Sequence, residues 1–414
     1  MLKRFIPISL HPFYFMMAGS LFFYAIGYLL AFITSILITR HLGAGGRGLV
    51  TSITSLIGIA AVISQLGMSQ VNKKLAAENK ELAGTLFLIT IIICLVASVI
   101  VVPSIYWLGR NQDFLKGNYQ IFLTALAVMP LLSISGSCAE ILVGMHFNKE
   151  YNSLFIAEKL SFAILIITMI MAGHLNAATA LISFYISQIL KIILCGFFLR
   201  KYLSFRLIKR ATMPKLDKGM IASNYLSLIC LNLAYSMLPI LLSHFSGLND
   251  VGYFAGSRSI IDTIMVLPML YSSYSINKLT VERKTGNYKE TRRLLIIILL
   301  IIMAIAAVFF YCISSMLIPL MFGQPFAMAV PCFNHMLPGV IFLAGYQIMN
   351  SVLLVERKLK SLLFLSVIYV LSITMLPFII SSRIDAVTAA DTYSISCLLT
   401  FLMAGFFTIK FKVD

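Results

Sequence analysis

The chain has 414 residues, 60% of them hydrophobic and only 11% charged, with a formal net charge of +17 and a mean hydropathy of +0.96. A soluble domain is about 45–50% apolar and about 25% charged, so a water-soluble enzyme or binding module is excluded. In lipid the backbone is satisfied only in helices or a closed barrel, and apolar runs longer than about 18 residues without strict alternation are helices.

Twelve spans are expected, near residues 16–39, 47–68, 85–108, 119–145, 153–173, 177–200, 219–246, 251–277, 294–322, 328–354, 361–381 and 386–409. The first begins near Phe13 and is followed by Arg40 rather than a small-residue cleavage site, so it is a retained span and not a signal peptide. The ends of spans 1 and 7 repeat one another. Leu37-Ile38-Thr39-Arg40-His41-Leu42-Gly43, running on to Gly48, returns as Leu241-Leu242-Ser243-His244-Phe245-Ser246-Gly247, running on to Gly252. One residue of slip aligns Val71-Asn72-Lys73 with Ile276-Asn277-Lys278, and Pro130 corresponds to Pro338. Internal repeats of this kind mark secondary transporters.

A basic segment at 201–218 divides six spans from six, giving an N-terminal bundle at 1–200 and a C-terminal bundle at 219–414. With an even number per half, the repeat is parallel, about an axis along the membrane normal. The basic residues are asymmetric on this map: 24 fall on the side of the two termini and five on the other. The positive-inside rule puts both termini in the cytoplasm. The charge is thus a topology signal, and a nucleic-acid partner is not expected.

Pro130, Pro239, Pro268, Pro319 and Pro338 interrupt spans, and breaks near Gly136 or Gly339 are candidate hinges. The seven cysteines all lie in apolar runs without a CxxC, and the six histidines lack metal-ligand spacing. No metal or other cofactor is expected. Nucleophile motifs, a Walker loop and paired carboxylates are absent from the sequence, and the loops opposite the termini are too short for a glycan polymerase or ligase. The chain is read as a non-enzyme.

Ionisable groups inside spans are costly and usually face a cavity or a partner. Arg258 lies about 10 Å into the eighth span, with Asp262 one turn on, close enough to pair at i,i+4. The pair is either a structural ion pair or an anion-binding arginine whose planar fork Asp262 orients. Lys191, near the middle of the sixth span, is expected to face a cavity. Arg40 and Arg47 flank the first loop and are expected at the surface; the alternative reading is the cationic exit of a path for a diphosphate. Glu140 and Asp391 are the candidate proton or sodium sites, each near a membrane interface, and Glu158 with Lys159 reads as an interfacial pair. Tyrosines such as Tyr235, Tyr253, Tyr271, Tyr274 and Tyr346 are equally well explained as interface anchors and carry no site assignment.

Arg40-His41-Leu42-Gly43-Ala44-Gly45-Gly46-Arg47-Gly48 resembles the R-x-L-G-x-x-x-x-G stretch of polysaccharide flippases, and Val251 to Arg258 resembles their eighth-span opening. The resemblance covers essentially the whole chain. It implies a Wzx-like, O-antigen- or capsule-type flippase of the MOP superfamily, in the all-α MATE-like fold with two six-helix bundles. Such a protein moves an undecaprenyl-diphosphate-linked oligosaccharide from the cytoplasmic to the periplasmic leaflet of the bacterial inner membrane by alternating access. The implied setting is surface-polysaccharide or lipopolysaccharide biosynthesis, with H+ or Na+ as coupling ion and a glycan polymerase and chain-length regulator as partners. Arg258 carries the eighth-span motif position. The first span lacks the acidic residue that many drug exporters of the superfamily place there. A cation or drug antiporter is therefore the alternative, opposed by Lys191 and Arg258.

Overall fold

In the computed structural model, which describes residues 11–110, 112–203, 218–285, 288–356 and 358–410, the described chain is nearly all helical. In order the helices are α1 (His11–Ser64), α2 (Met68–Glu78), α3 (Ala83–Gly109), α4 (Tyr119–Gly144), α5 (Asn148–Met171), α6 (Ala177–Leu199) and α7 (Lys218–Phe245). There follow α8 (Leu248–Ile264), α9 (Val266–Thr285), α10 (Tyr288–Phe322), α11 (Ala329–Val355), α12 (Leu359–Ile380) and α13 (Ala386–Lys410). Among the described residues, eleven helical stretches are long and apolar enough to cross a membrane, and the chain is a multi-pass membrane protein. The first stretch, Phe22–Ser64, has 43 residues. That is about 65 Å of helix, twice the roughly 30 Å hydrocarbon core. It turns at Gly43 (φ 67°, ψ −175°), a left-handed φ that glycine takes without steric cost. It is therefore two crossings, and the described residues make twelve. Of the basic segment at 201–218, residues 204–217 lie outside the described residues.

The first six crossings pack around Ile53, Phe122 and Met129 toward one face, and around Leu86, Cys138 and Leu142 toward the other. The last six pack around a large core at Phe254, Phe333 and Met336, with smaller clusters around Leu353 and Leu365 and around Leu279 and Leu295. The two bundles meet where their repeated loops cross, at the face bearing Gly43 and Gly247, here called the glycine face. A Cβ at Gly48 would stand 1.8 Å from the Leu248 carbonyl oxygen, and one at Gly252 would stand 2.0 Å from that of Ala44. Ala44 and Gly48 are the repeat mates of Leu248 and Gly252. Each bundle thus presses a backbone carbonyl into the other's glycine, as a pseudo-two-fold requires. At the opposite, terminal face the bundles touch more sparingly: the Tyr225 hydroxyl donates to the Ile63 carbonyl at 2.8 Å.

The expected breaks near Gly136 and Gly339 are not there, since α4 and α11 run through both. Pro338 does leave the Asn334 carbonyl without its usual donor, and Ser394 of α13 repairs the next rung. Its hydroxyl donates to the His335 carbonyl at 2.6 Å and accepts from the Gly339 N–H at 3.1 Å. The breaks fall elsewhere. Crossing 2 is interrupted between α1 and α2, where Leu66 (φ 46°) and Gly67 (φ 79°) are left-handed. Crossing 8 is interrupted at Met265, between α8 and α9, where Pro268 removes the donor for the Ile264 carbonyl.

Candidate functional site

Between the bundles lies a cavity of about 410 Å3. Helices α1, α5 and α6 contribute Ser35, Arg47, Thr51, Thr54, Phe162 and Phe184, while α7 and α8 contribute Asn232, Tyr235, Arg258 and Asp262. Two guanidinium groups face one carboxylate across a wall of hydroxyls, so the cavity is positive.

Arg258 is held from three sides. Its Nη1 donates to the Tyr235 carbonyl at 2.8 Å, and its guanidinium carbon lies 3.5 Å from the centre of the Tyr235 ring, a close cation–π contact. The Phe254 ring stands behind it, 5.9 Å away. Its Nε is buried and has no hydrogen-bond partner. Asp262 makes no direct ion pair with Arg258; instead its Oδ2 accepts from the Tyr235 hydroxyl at 2.8 Å. The direct i,i+4 pair expected from the sequence is therefore replaced by a bridge. The aromatic ring of a neighbouring crossing stands between the two groups and engages both.

Arg47 corrects a second expectation. It is half-buried in the cavity rather than at the surface, because Gly43 alone turns the chain and Arg47 already belongs to the first helical turn of crossing 2. Its Nη2 donates to Ser35 Oγ at 3.1 Å, and its Nε is also buried without a partner. A buried unpaired donor costs about 1–3 kcal/mol, more when charged. Both Nε atoms are closed off from the cavity, so it is the guanidinium groups of two arginines lining one cavity, rather than these N–H groups, that suit an anion bringing acceptor oxygens. A second cavity of about 270 Å3 shares Tyr235 and Asp262, is lined also by Tyr28, Met265, Met269 and Gln347, and lies on the terminal-face side.

The other residues singled out in the sequence lie apart from this pair. Arg40 is exposed and donates to the Leu320 carbonyl. Lys191 donates to Glu158 Oε2 at 2.7 Å, and Lys159 donates to Glu158 Oε1 at 2.7 Å. Glu158 is thus held between two helices, with a side chain only 7% exposed, and its partners are Lys191 as well as the expected Lys159. Glu140 lies 3.9 Å from Lys73. Asp391 Oδ1 lies 2.7 Å from His335 Nδ1 in a separate groove of about 520 Å3 with Tyr311 and Asn334. Among the described residues no group of three or more His, Cys, Asp or Glu comes together to hold a metal. Tyr235 is the cavity residue the sequence concealed, because a tyrosine in a span carries no mark that separates a platform from an interface anchor.

Residues 20–277 match the family described as "Polysaccharide biosynthesis protein". No curated protein matches. Among solved structures, the chain is similar to an inward-facing MATE-family multidrug-resistance transporter of the MOP superfamily. The TM-score is 0.73 at 14% identity, over 92% of this chain and 94% of that one. An outward-facing MATE-family transporter gives a TM-score of 0.63 at 13% identity, over 95% of each chain. A MOP transporter from Pyrococcus furiosus, described as having a binding pocket of reverse polarity that suggests a different function, gives 0.68 at 12% identity, over 95% of this chain and 93% of that one. At these identities the likeness shows the fold.

Proposed function

This chain belongs to the polysaccharide biosynthesis protein family, and from that premise we propose that it flips an undecaprenyl-diphosphate-linked oligosaccharide across a bacterial inner membrane by alternating access. The observation that carries the reading is the pair Arg47 and Arg258, whose side chains face one cavity between the bundles. A diphosphate cannot cross roughly 30 Å of hydrocarbon unaided. The arginines offer planar forks that match its oxygens, and the cavity hydroxyls and aromatic rings suit the first sugars. The polyprenyl chain stays in lipid at the seam between the bundles. No bond is made or broken in the substrate.

With 24 basic residues on the terminal side against five on the other, both termini are cytoplasmic and the glycine face is periplasmic. The closed glycine face and the better fit to an inward-facing relative both favour a substrate-accepting state. An H+ or Na+ gradient would drive the return, and a glycan polymerase with its chain-length regulator would take the product. A cation or drug antiporter fits less well, since the cavity is positive and its carboxylate is already engaged by Tyr235.

The test is a deletion strain complemented with wild-type, Arg258→Ala or Arg258→Lys protein at matched expression, with the leaflet of accumulated lipid-linked units measured. Intact units trapped on the cytoplasmic side in the deletion and in Arg258→Ala, with partial rescue by Arg258→Lys, is the expected result. Units reaching the periplasmic leaflet in the deletion strain would refute the flippase reading.

A further inference from the structure

The wall that α5 and α6 give to the central cavity does not end at the cavity. On α5, Phe162 lines it, and Lys159, Glu158 and Phe155 precede Phe162 by three, four and seven residues, along the same helix face. On α6, Leu181 and Phe184 line it, and Lys191 follows Phe184 by seven residues, again along the same face. Both walls therefore run on toward the terminal face and meet at a triad. There Glu158 accepts one hydrogen bond from each lysine, both at 2.7 Å. Glu140, which also feels the charge of Lys191, lies 3.9 Å from Lys73, so those two add no net charge. Phe155 lies 5.6 Å below the Lys159 ammonium and packs against Tyr24 and Tyr28 of α1, with ring centres 5.2 and 5.8 Å away.

A structural lock on Glu158 needs one lysine; this site has two. Two ammonium groups against one carboxylate leave one positive charge in excess. Each ammonium has three donors, and Glu158 takes one from each, so four N–H groups remain for another acceptor. We propose that Lys159 and Lys191 form a first station for the diphosphate group of the substrate, occupied before the arginines and on the terminal-face side of them. The proposal rests on the flippase reading and adds a subsite to it.

The two stations differ in the way a relay requires. Lysine is a rotatable point charge that holds phosphate without fixing its orientation, whereas the arginine forks fix it. Glu158 acts as an internal competitor for the anion. It keeps the first station weak enough to release its load to the second, as multi-site conduction demands.

Purified protein in nanodiscs, titrated with farnesyl diphosphate, inorganic pyrophosphate and farnesol, tests this. Lysine-to-glutamine changes at 159 and 191 together are expected to weaken farnesyl diphosphate binding about tenfold or more, with partial recovery in Lys191→Arg. Arg258→Ala should leave a residual binding that the added lysine changes abolish. Glu158→Gln is the decisive variant, because removing the competitor should tighten binding severalfold, whereas loss of a structural lock would only lower the thermal unfolding midpoint. Unchanged binding in the lysine variants, or a Glu158→Gln protein that unfolds earlier without binding more tightly, would overturn the first station while leaving the arginine site intact. Should Glu158→Gln not fold, Lys159→Gln alone, at the more exposed lysine, decides by the same titration. Equal affinity for pyrophosphate and farnesyl diphosphate would overturn the lipid assignment in favour of a free diphosphate. Absence of diphosphate binding to the wild type would sink this proposal and the flippase reading together.

Discussion

Tyr235 lies beneath the guanidinium of Arg258 with its ring and reaches Asp262 with its hydroxyl. The two contacts are separable. Tyr235→Phe keeps the platform and drops one hydrogen bond, a loss of about 1 kcal/mol, so anion binding should fall only about fivefold. Tyr235→Ala removes the platform as well and should weaken farnesyl diphosphate binding as much as Arg258→Ala does. Titration of the three variants ranks them, and equal losses for Phe and Ala would mean that the hydroxyl, not the ring, holds the arginine. Arg258 was legible in the sequence because an arginine inside an apolar span is costly. Its true partner was not. With 18 tyrosines in a membrane chain, spacing offers no way to choose the one that crosses from α7 to α8. Lys191 was legible on the same ground of cost, while the Glu158 that it meets from another helix looked interfacial for want of any signal of tertiary contact.

At the scale of elements, hydropathy located most crossings to within a few residues, but the helices of crossings 2, 8 and 9 run six to ten residues beyond their expected terminal-side ends, and the breaks were misplaced. Proline and glycine mark where a helix loses a donor, and a neighbour decides whether the loss becomes a break. At Pro338 the Ser394 hydroxyl bridges the gap, and α11 continues through it. Ser394→Ala removes the hydroxyl that serves both the His335 carbonyl and the Gly339 N–H in a buried place. That should cost about 2–4 kcal/mol, read as a lower unfolding midpoint in detergent; an unchanged midpoint would mean that α11 closes its own ladder there. At Pro268 no such bridge exists among the described residues, and crossing 8 does break, one turn earlier. The start of α13 offers a milder case. Asp385 accepts from the Thr388 N–H at 2.8 Å and its hydroxyl at 2.9 Å, an N-cap worth about 1 kcal/mol. Partial burial pushes the Asp385 carboxyl up, but these bonds prevail and hold it below the usual carboxylate value. Its contribution is therefore present above about pH 4 and fades as pH falls through the lowered value. Asp385→Asn should remove that pH dependence while keeping most of the cap.

For the whole molecule, the consequential feature is the reciprocal closure at the glycine face. The 204-residue repeat was visible in sequence, because the motif around Gly43 returns around Gly247. That the two copies press on each other was not, since symmetry in a sequence says nothing of which surfaces meet. On the proposed alternating-access mechanism this face has to separate, and its tightness comes from two positions that lack a Cβ. A methyl group at Gly48 would overlap the Leu248 carbonyl outright, so the added atom can be accommodated only by parting the bundles. Overpacking by one methyl costs about 1–3 kcal/mol. That is enough to shift a two-state population roughly tenfold toward the state open at the glycine face. Gly48→Ala and Gly252→Ala should act alike, as repeat mates, whereas Gly46→Ala, whose neighbour is only the Leu42 side chain of the same loop, should act weakly. The readout is a Thr51→Cys reporter in the cavity, in a background without the seven native cysteines, labelled by a membrane-impermeant maleimide from the glycine-face side. Faster labelling in both repeat-mate variants, with slowed flipping because the accepting state is depleted, is the expected pairing. Labelling unchanged by either alanine would place the closure in side chains deeper in the seam, and the glycines would then serve helix packing alone.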